Sequence, residues 1–168
     1  SSAASDVYKR QHLKLAEMER AGKLSAIVTQ NIDGLHQAAG SKNVFELHGS
    51  VHRNYCQKCG KFFDVNYVVN AKGVPYCDEC GGIIKPDVVL YEEGLDSQTI
   101  NGAVRAISKA DMLIIGGTSL VVYPAAGMID YFKGKYLAVL NRDATSRDKQ
   151  ADLCITDPIG EVLGRIRV

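Results

Sequence analysis

The chain has 168 residues, 46% of them hydrophobic, a length and composition that suit one domain with a real core and exclude a disordered segment. Its 20 Lys and Arg stand against 19 Asp and Glu, which leaves no basic footprint for nucleic acid or an anionic membrane surface. No stretch approaches the ~20 apolar residues needed to span a bilayer and the N-terminus lacks the apolar core of a signal peptide, so a soluble, cytoplasmic protein with no membrane or direct nucleic-acid partner is expected.

Helical composition covers about 12–22 and is followed by the short apolar run LSAIVTQN; a second helical segment covers about 32–40. FELHGS then reads as extended, and a cysteine-bearing segment occupies about 53–85 with Phe62, Phe63 and Tyr67. Beyond it, helical segments at about 97–109, 123–132 and 158–167 alternate with the runs DMLIIGGTSL, YLAVLNRD and ADLCIT. These three runs, and LSAIVTQN before them, are rich in Ile, Val and Leu and too short for buried helices. They predict parallel strands covered on both faces, with Cys154 as a core residue. Strand and helix alternate, the pattern of a doubly wound α/β sheet whose ligands bind at the carboxyl ends of its strands.

Four of the 5 cysteines form two CxxC pairs, CQKCG and CDECG, with 17 residues between Cys59 and Cys77. That spacing, with a glycine closing each turn, predicts a zinc ribbon in which Cys56, Cys59, Cys77 and Cys80 hold one ion. Four thiolates complete the tetrahedron and leave no position for water, so such a zinc is structural. Two redox dithiols are the weaker reading, because a thioredoxin-like site uses a single CxxC at a helix start.

Polar and glycine residues gather at the ends of the apolar runs: TQNIDGLH, FELHGS, GGTSL and NRD. GGTS suits the approach of a phosphate or ribose, and NRD offers side chains to ribose hydroxyls or adenine. Alone, GGTSL equally fits a plain strand-to-helix turn with Ser119 as N-cap. Gln30, Asn31 and Asp33 offer two amides and a carboxylate able to bracket a ribose and a carboxamide. His48 sits at a strand end, and an imidazole, ordinarily titrating near ~6.5, suits a general base at neutral pH. His12, His36 and His52 fit solvated, capping or backbone-bonded roles.

TQNIDGLH, ELHGS, the paired CxxC, KPDVVLYEEGL, GTSLVVYPAA and LNRD together resemble, in content and order, the sirtuin family of NAD-dependent protein lysine deacylases, from His12 to Val168. The resemblance implies an α/β fold, here an incomplete Rossmann-like doubly wound parallel sheet (12–52 and 86–168) with a small zinc-ribbon insertion (53–85). It implies NAD as co-substrate, acyl-lysine proteins or peptides as partners, and release of nicotinamide and an O-acyl-ADP-ribose. By the same resemblance His48 is the catalytic base, taking a proton from a ribose hydroxyl after the acyl oxygen displaces nicotinamide. Gln30, Asn31, Ile32 and Asp33 then surround the nicotinamide and its ribose. Gly117, Thr118, Ser119, Asn141, Arg142 and Asp143 contact the phosphates and adenosine, and the Ile159 backbone NH faces adenine. Val88, Val89 and Tyr91 flank the acyl-lysine, in a loop that pairs with substrate as an added strand.

Two departures accompany the resemblance. The family's Phe-Gly-Glu is replaced by Tyr91, Glu92 and Glu93. Nothing here resembles the family's first strand, its glycine-rich pyrophosphate loop or its arginine motif, and residues 1–11 read as a leader foreign to the family. A truncated enzyme of low or no activity is therefore expected. The same residues leave open a non-catalytic zinc-ribbon binding module and a protein ADP-ribosyltransferase.

Overall fold

The computed structural model describes residues 2–168. In chain order the elements are α1 (Ser2–Arg20), β1 (Ile27–Thr29), α2 (Leu35–Ala38), β2 (Val44–Glu46), β3 (Gly49–Cys56), β4 (Phe62–Phe63), α3 (Val65–Val69) and β5 (Ile84–Val88). There follow α4 (Ser97–Lys109), β6 (Met112–Gly116), a 3-10 helix (Ala125–Tyr131), β7 (Tyr136–Leu140), a short 3-10 turn (Asp148–Gln150), β8 (Leu153–Ile155) and α5 (Ile159–Gly164). The chain divides into two compact units. One comprises the segment ending at Val28, Leu35–Phe45 and Ser97–Val168; the other comprises Thr29–Gly34 and Glu46–Asp96, which is wider than the cysteine segment alone.

The first unit is built on the parallel sheet β6-β7-β8. Met112 to Gly116 run in register with Tyr136 to Leu140, and Ala138 to Leu140 with Leu153 to Ile155. The central strand shows why a run of apolar residues is needed there: Leu137, Ala138, Val139 and Leu140 are all buried. Ile115, Leu137 and Val139 pack with Ile129 of the 3-10 helix, against Leu113, Leu120, Phe132 and Ala151. The helix over 97–109 forms as the sequence predicts, burying Ala103 and Ile107 one turn apart.

Several expectations need correction. The helix expected over 12–22 begins at Ser2 and so takes in most of 1–11. The segment 32–40 yields one turn, Leu35–Ala38, and 123–132 closes as a 3-10 helix. Ser119 caps no helix, since the next one starts only at Ala125. Cys154 is exposed, not in the core. It lies on β8, an edge strand of which Leu153 is also exposed, and a sequence run does not say whether its strand is central or at an edge. His12 is buried at 3% exposure, its ring 4.6 Å from that of His36, where α1 packs on α2. The link after α2 is pinned to α1 by Glu19, whose carboxylate accepts the Lys42 and Asn43 amides at 2.9 and 2.8 Å.

The second unit holds the antiparallel sheet β4-β3-β5. Its core is unusual in composition: Cys56, Phe63, Cys77 and Ile84, with Val68 and Cys80 packed on them. Asp64 caps α3 by accepting the Tyr67 amide at 2.9 Å, and the Tyr67 hydroxyl donates to the Tyr76 carbonyl at 2.9 Å. Lys61 joins the two cysteine turns, bonding Asp78 and Glu79 at 2.8 and 2.9 Å. Among the described residues no helix is long and apolar enough to cross a membrane.

Candidate functional site

Residues 29–34 and 47–52, in the second unit, run side by side and are fastened at four points. The Leu47 amide donates to the Thr29 carbonyl at 3.0 Å and the Val51 amide to the Ile32 carbonyl at 3.1 Å. Between and beyond these, His48 Nδ1 lies 3.0 Å from the Gln30 carbonyl oxygen and His52 Nε2 lies 2.9 Å from that of Asp33. A carbonyl only accepts, so Nδ1 of His48 carries the hydrogen and Nε2 of the neutral ring keeps its lone pair. A half-buried imidazole held in that tautomer is equipped to take a proton at Nε2. Asn31 and Asp33 are exposed next to it, while Gln30 and Ile32 are half-buried.

The other side of His48 meets β5. The Val89 amide donates to the His48 carbonyl at 3.0 Å, and Gly49 pairs with Val88. Val88 and Val89 are thereby brought to His48, whereas Tyr91 projects fully into solvent, at 102% exposure. The close approach of β5 depends on a glycine. Gly49 has φ +77, and a Cβ there would stand 1.9 Å from the Asp87 carbonyl oxygen.

The four paired cysteines converge as their spacing predicts, with all four sulfurs within 4.8 Å of one another. Cys56 and Cys80 sulfurs are 3.4 Å apart and those of Cys59 and Cys77 3.7 Å. A tetrahedral zinc with arms of ~2.3 Å needs sulfurs roughly 3.8 Å apart, so the set fits a closed zinc site. The thiols are unequal. The Cys59 backbone NH, aided by that of Lys58, holds the Cys56 thiol down to about 6 against the effect of burial. For Cys59 the Lys61 NH also favours the thiolate, but the sulfurs of Cys80, Cys56 and Cys77, together with burial, push it up to about 12.

The remaining sequence candidates lie in the first unit, at the carboxyl ends of its parallel strands. The Gly117 amide donates to the Leu140 carbonyl at 3.2 Å and the Asn141 amide to that of Ile155 at 3.1 Å, which sets GGTS and NRD side by side. Thr118 Oγ1 accepts the Leu120 amide at 3.3 Å, and the Asn141 side chain donates to the Asp143 carbonyl at 2.9 Å. Arg142 pairs with Asp143 at 3.4 Å, both exposed. Ile159 is the first residue of α5, and its Cδ1 reaches to where a Cβ on Gly116 would stand, 2.3 Å away. Gly117 to Ser119, Asn141 to Asp143 and Ile159 thus share one end of the sheet.

Sequence reading passed over Arg53, Glu46 and Asp87. Arg53, on β3, binds Glu46 through Nη1 at 2.7 Å and Asp87 through Nε at 2.9 Å. The only signal was an arginine in HGSVHRNYC, a charge within a strand pattern.

The family model described as Sir2 family matches residues 2–124. A Clostridium acetobutylicum protein named NAD-dependent protein deacetylase is 66% identical over 153 residues, spanning 90% of this chain and 62% of its own length. A Clostridium perfringens protein of the same name is 65% identical over 156 residues, spanning 92% of this chain and 64% of its own. The chain therefore spans less than two thirds of the curated relatives it matches. A solved structure described as Sir2 with p53 peptide and NAD+ superposes with a TM-score of 0.85 at 38% identity, covering 93% of this chain and 67% of that one.

Proposed function

The chain belongs to the Sir2 family, and on that premise we propose that it carries the base, the zinc module and part of the cofactor site of an NAD-dependent protein lysine deacylase. The observation that carries the reading is the bond from His48 Nδ1 to the Gln30 carbonyl. It leaves Nε2 free to accept a proton, and it ties the base to the same loop that would surround nicotinamide. Similarity to proteins named NAD-dependent protein deacetylase, and to a Sir2 described with peptide and NAD+, supports the substrate assignment.

In this reading acyl-lysine enters as an extended strand along Val88 and Val89, with Tyr91 at its margin, and its acyl oxygen attacks the anomeric carbon as nicotinamide departs. Gln30, Asn31, Ile32 and Asp33 orient the carboxamide and ribose. His48 removes the proton of a ribose hydroxyl, so that the hydroxyl oxygen attacks the acyl carbon; the acyl C–N bond then breaks, the lysine amine leaves with a proton, and water adds to complete O-acyl-ADP-ribose. Gly117, Thr118 and Ser119 serve the phosphates, while Asn141, Arg142, Asp143 and the Ile159 amide serve adenosine. Cys56, Cys59, Cys77 and Cys80 would hold zinc, which supplies structure and no open coordination position. Five cysteines without disulfides fit a reducing compartment, the cytoplasm.

The test is product analysis. The chain, extended to the full length of its relatives, is incubated with NAD and an acetyl-lysine peptide. Equimolar nicotinamide, free lysine peptide and O-acetyl-ADP-ribose are expected. ADP-ribosylated peptide with the acetyl group retained would replace the reading with ADP-ribosyl transfer. No NAD turnover would leave the zinc-ribbon binding module.

A further inference from the structure

β3 departs from regular pairing at one place. Ser50 pairs with Asp87 and Asn54 with the adjacent Pro86, so Val51, His52 and Arg53 form a bulge without partners on β5. The bulge satisfies its own backbone: Ser50 Oγ accepts the His52 amide at 3.2 Å and Asn54 Nδ2 donates to the Val51 carbonyl at 3.0 Å, both residues being buried. Extra residues in one strand re-aim side chains. Here Val51 and His52 turn to the 29–34 loop, through Ile32 and Asp33, while Arg53 turns to Glu46 and Asp87.

We infer that Arg53 is a positioning residue for the acyl-lysine strand, an inference that rests on the deacylase reading. Glu46 is two residues before His48, and Asp87 is one residue before Val88. Arg53 spans them, with Nη1 on one carboxylate and Nε on the other, and so fixes the Val88–Val89 edge relative to the base. A planar fork with separated donors fits this task and a lysine ammonium does not. The Glu46 side chain is only 9% exposed, so the bridge is anchored in protein and not merely on the surface. Asp87 transmits the position directly. Its carbonyl occupies the space a side chain at Gly49 would need, and the next peptide units carry the Val88 pairing and the Val89 bond to His48.

The experiment measures binding of a fluorescent acetyl-lysine peptide and its unacetylated twin to the zinc-loaded 168-residue chain by anisotropy. Wild type is compared with Arg53→Gln, Arg53→Lys, Asp87→Asn and the Arg53→Gln/Asp87→Asn double variant, with amide hydrogen exchange followed at Val89 and Cys77. Wild type should prefer the acetylated peptide. Arg53→Gln should weaken that binding about tenfold, the cost of removing one charge-assisted bridge, and Arg53→Lys should recover only part. Asp87→Asn, which leaves the Glu46–Arg53 pair intact, should also weaken it, and the double variant should be no weaker than Arg53→Gln. Exchange should quicken at Val89 and not at Cys77. Unchanged affinity in Arg53→Gln and Asp87→Asn overturns the inference while the deacylase reading stands. Faster exchange at Cys77 or loss of zinc in Asp87→Asn makes the role structural and overturns it too. No preference for the acetylated peptide in wild type overturns the deacylase reading and the inference together.

Discussion

His48 Nδ1 stands 3.0 Å from the Gln30 carbonyl oxygen. The bond is made to backbone, so the tautomer of the imidazole does not depend on which side chain occupies position 30. The two residues are separable by mutation for that reason.

In the lengthened chain, His48→Ala should lower nicotinamide-coupled deacylation by about 10² to 10⁴, the range for loss of a general base. Gln30→Ala should keep the base in place and act mainly on affinity for NAD. Steady-state kinetics with both substrates varied separates the two: a kcat loss for His48→Ala and a KM increase for Gln30→Ala. Equal kcat losses in both would mean that position 30 acts through its side chain.

Two glycines with positive φ should respond differently to alanine. Gly117→Ala meets no atom within 4 Å and carries only the backbone cost, about 1–2 kcal/mol for an L residue in the left-handed region. Gly49→Ala adds a collision with the Asp87 carbonyl and must part β3 from β5. Urea unfolding should show a far larger midpoint loss for Gly49→Ala, with the Val89 amide losing protection.

These contrasts mark what a sequence makes legible. The cysteine cluster was readable because a CxxC turn is local and only the join between two turns is tertiary. The helix at Ser97–Lys109 was readable because its buried residues repeat at helical spacing. The Arg53 bridge was not, because it joins residues 34 apart through a bulge whose register only the folded sheet fixes. Exposure of Cys154 was hidden for a related reason: Leu-Cys-Ile has the same composition in a central strand and in an edge strand, and neighbours decide between them. For His12, a polar side chain in a helix reads as solvated until the packing of α2 is known.

Glu19 gives a pH dependence. The Asn43 amide, then that of Lys42, holds its carboxyl below the ordinary carboxylate value. A group whose folded pKa is depressed contributes stability above its unfolded pKa and loses that contribution as pH falls through the folded value. Glu19→Gln should therefore melt below wild type at pH 7, and the gap should close as pH is lowered from about 5 towards 3. A gap that stays constant across that range would show that the difference does not come from the ionised carboxylate.

Zinc and thiol chemistry can be read in one titration. Cys154 is exposed and lies outside the cluster, whereas Cys56, Cys59, Cys77 and Cys80 share one small volume. Thiolates bound to a closed tetrahedral zinc are shielded from alkylation, and the ion holds together a unit whose core is largely those cysteines. The purified chain should thus contain one zinc, and iodoacetamide should label Cys154 alone under native conditions. A chelator strong enough to remove the ion should expose the other four thiols and, in the same step, abolish amide protection in β3 and β5, since Cys56 and Ile84 would lose what their packing surrounds. Native labelling at Cys59 with zinc still bound at one per chain would show that its sulfur is not a ligand, and the site would then be a three-cysteine one with a position open to water.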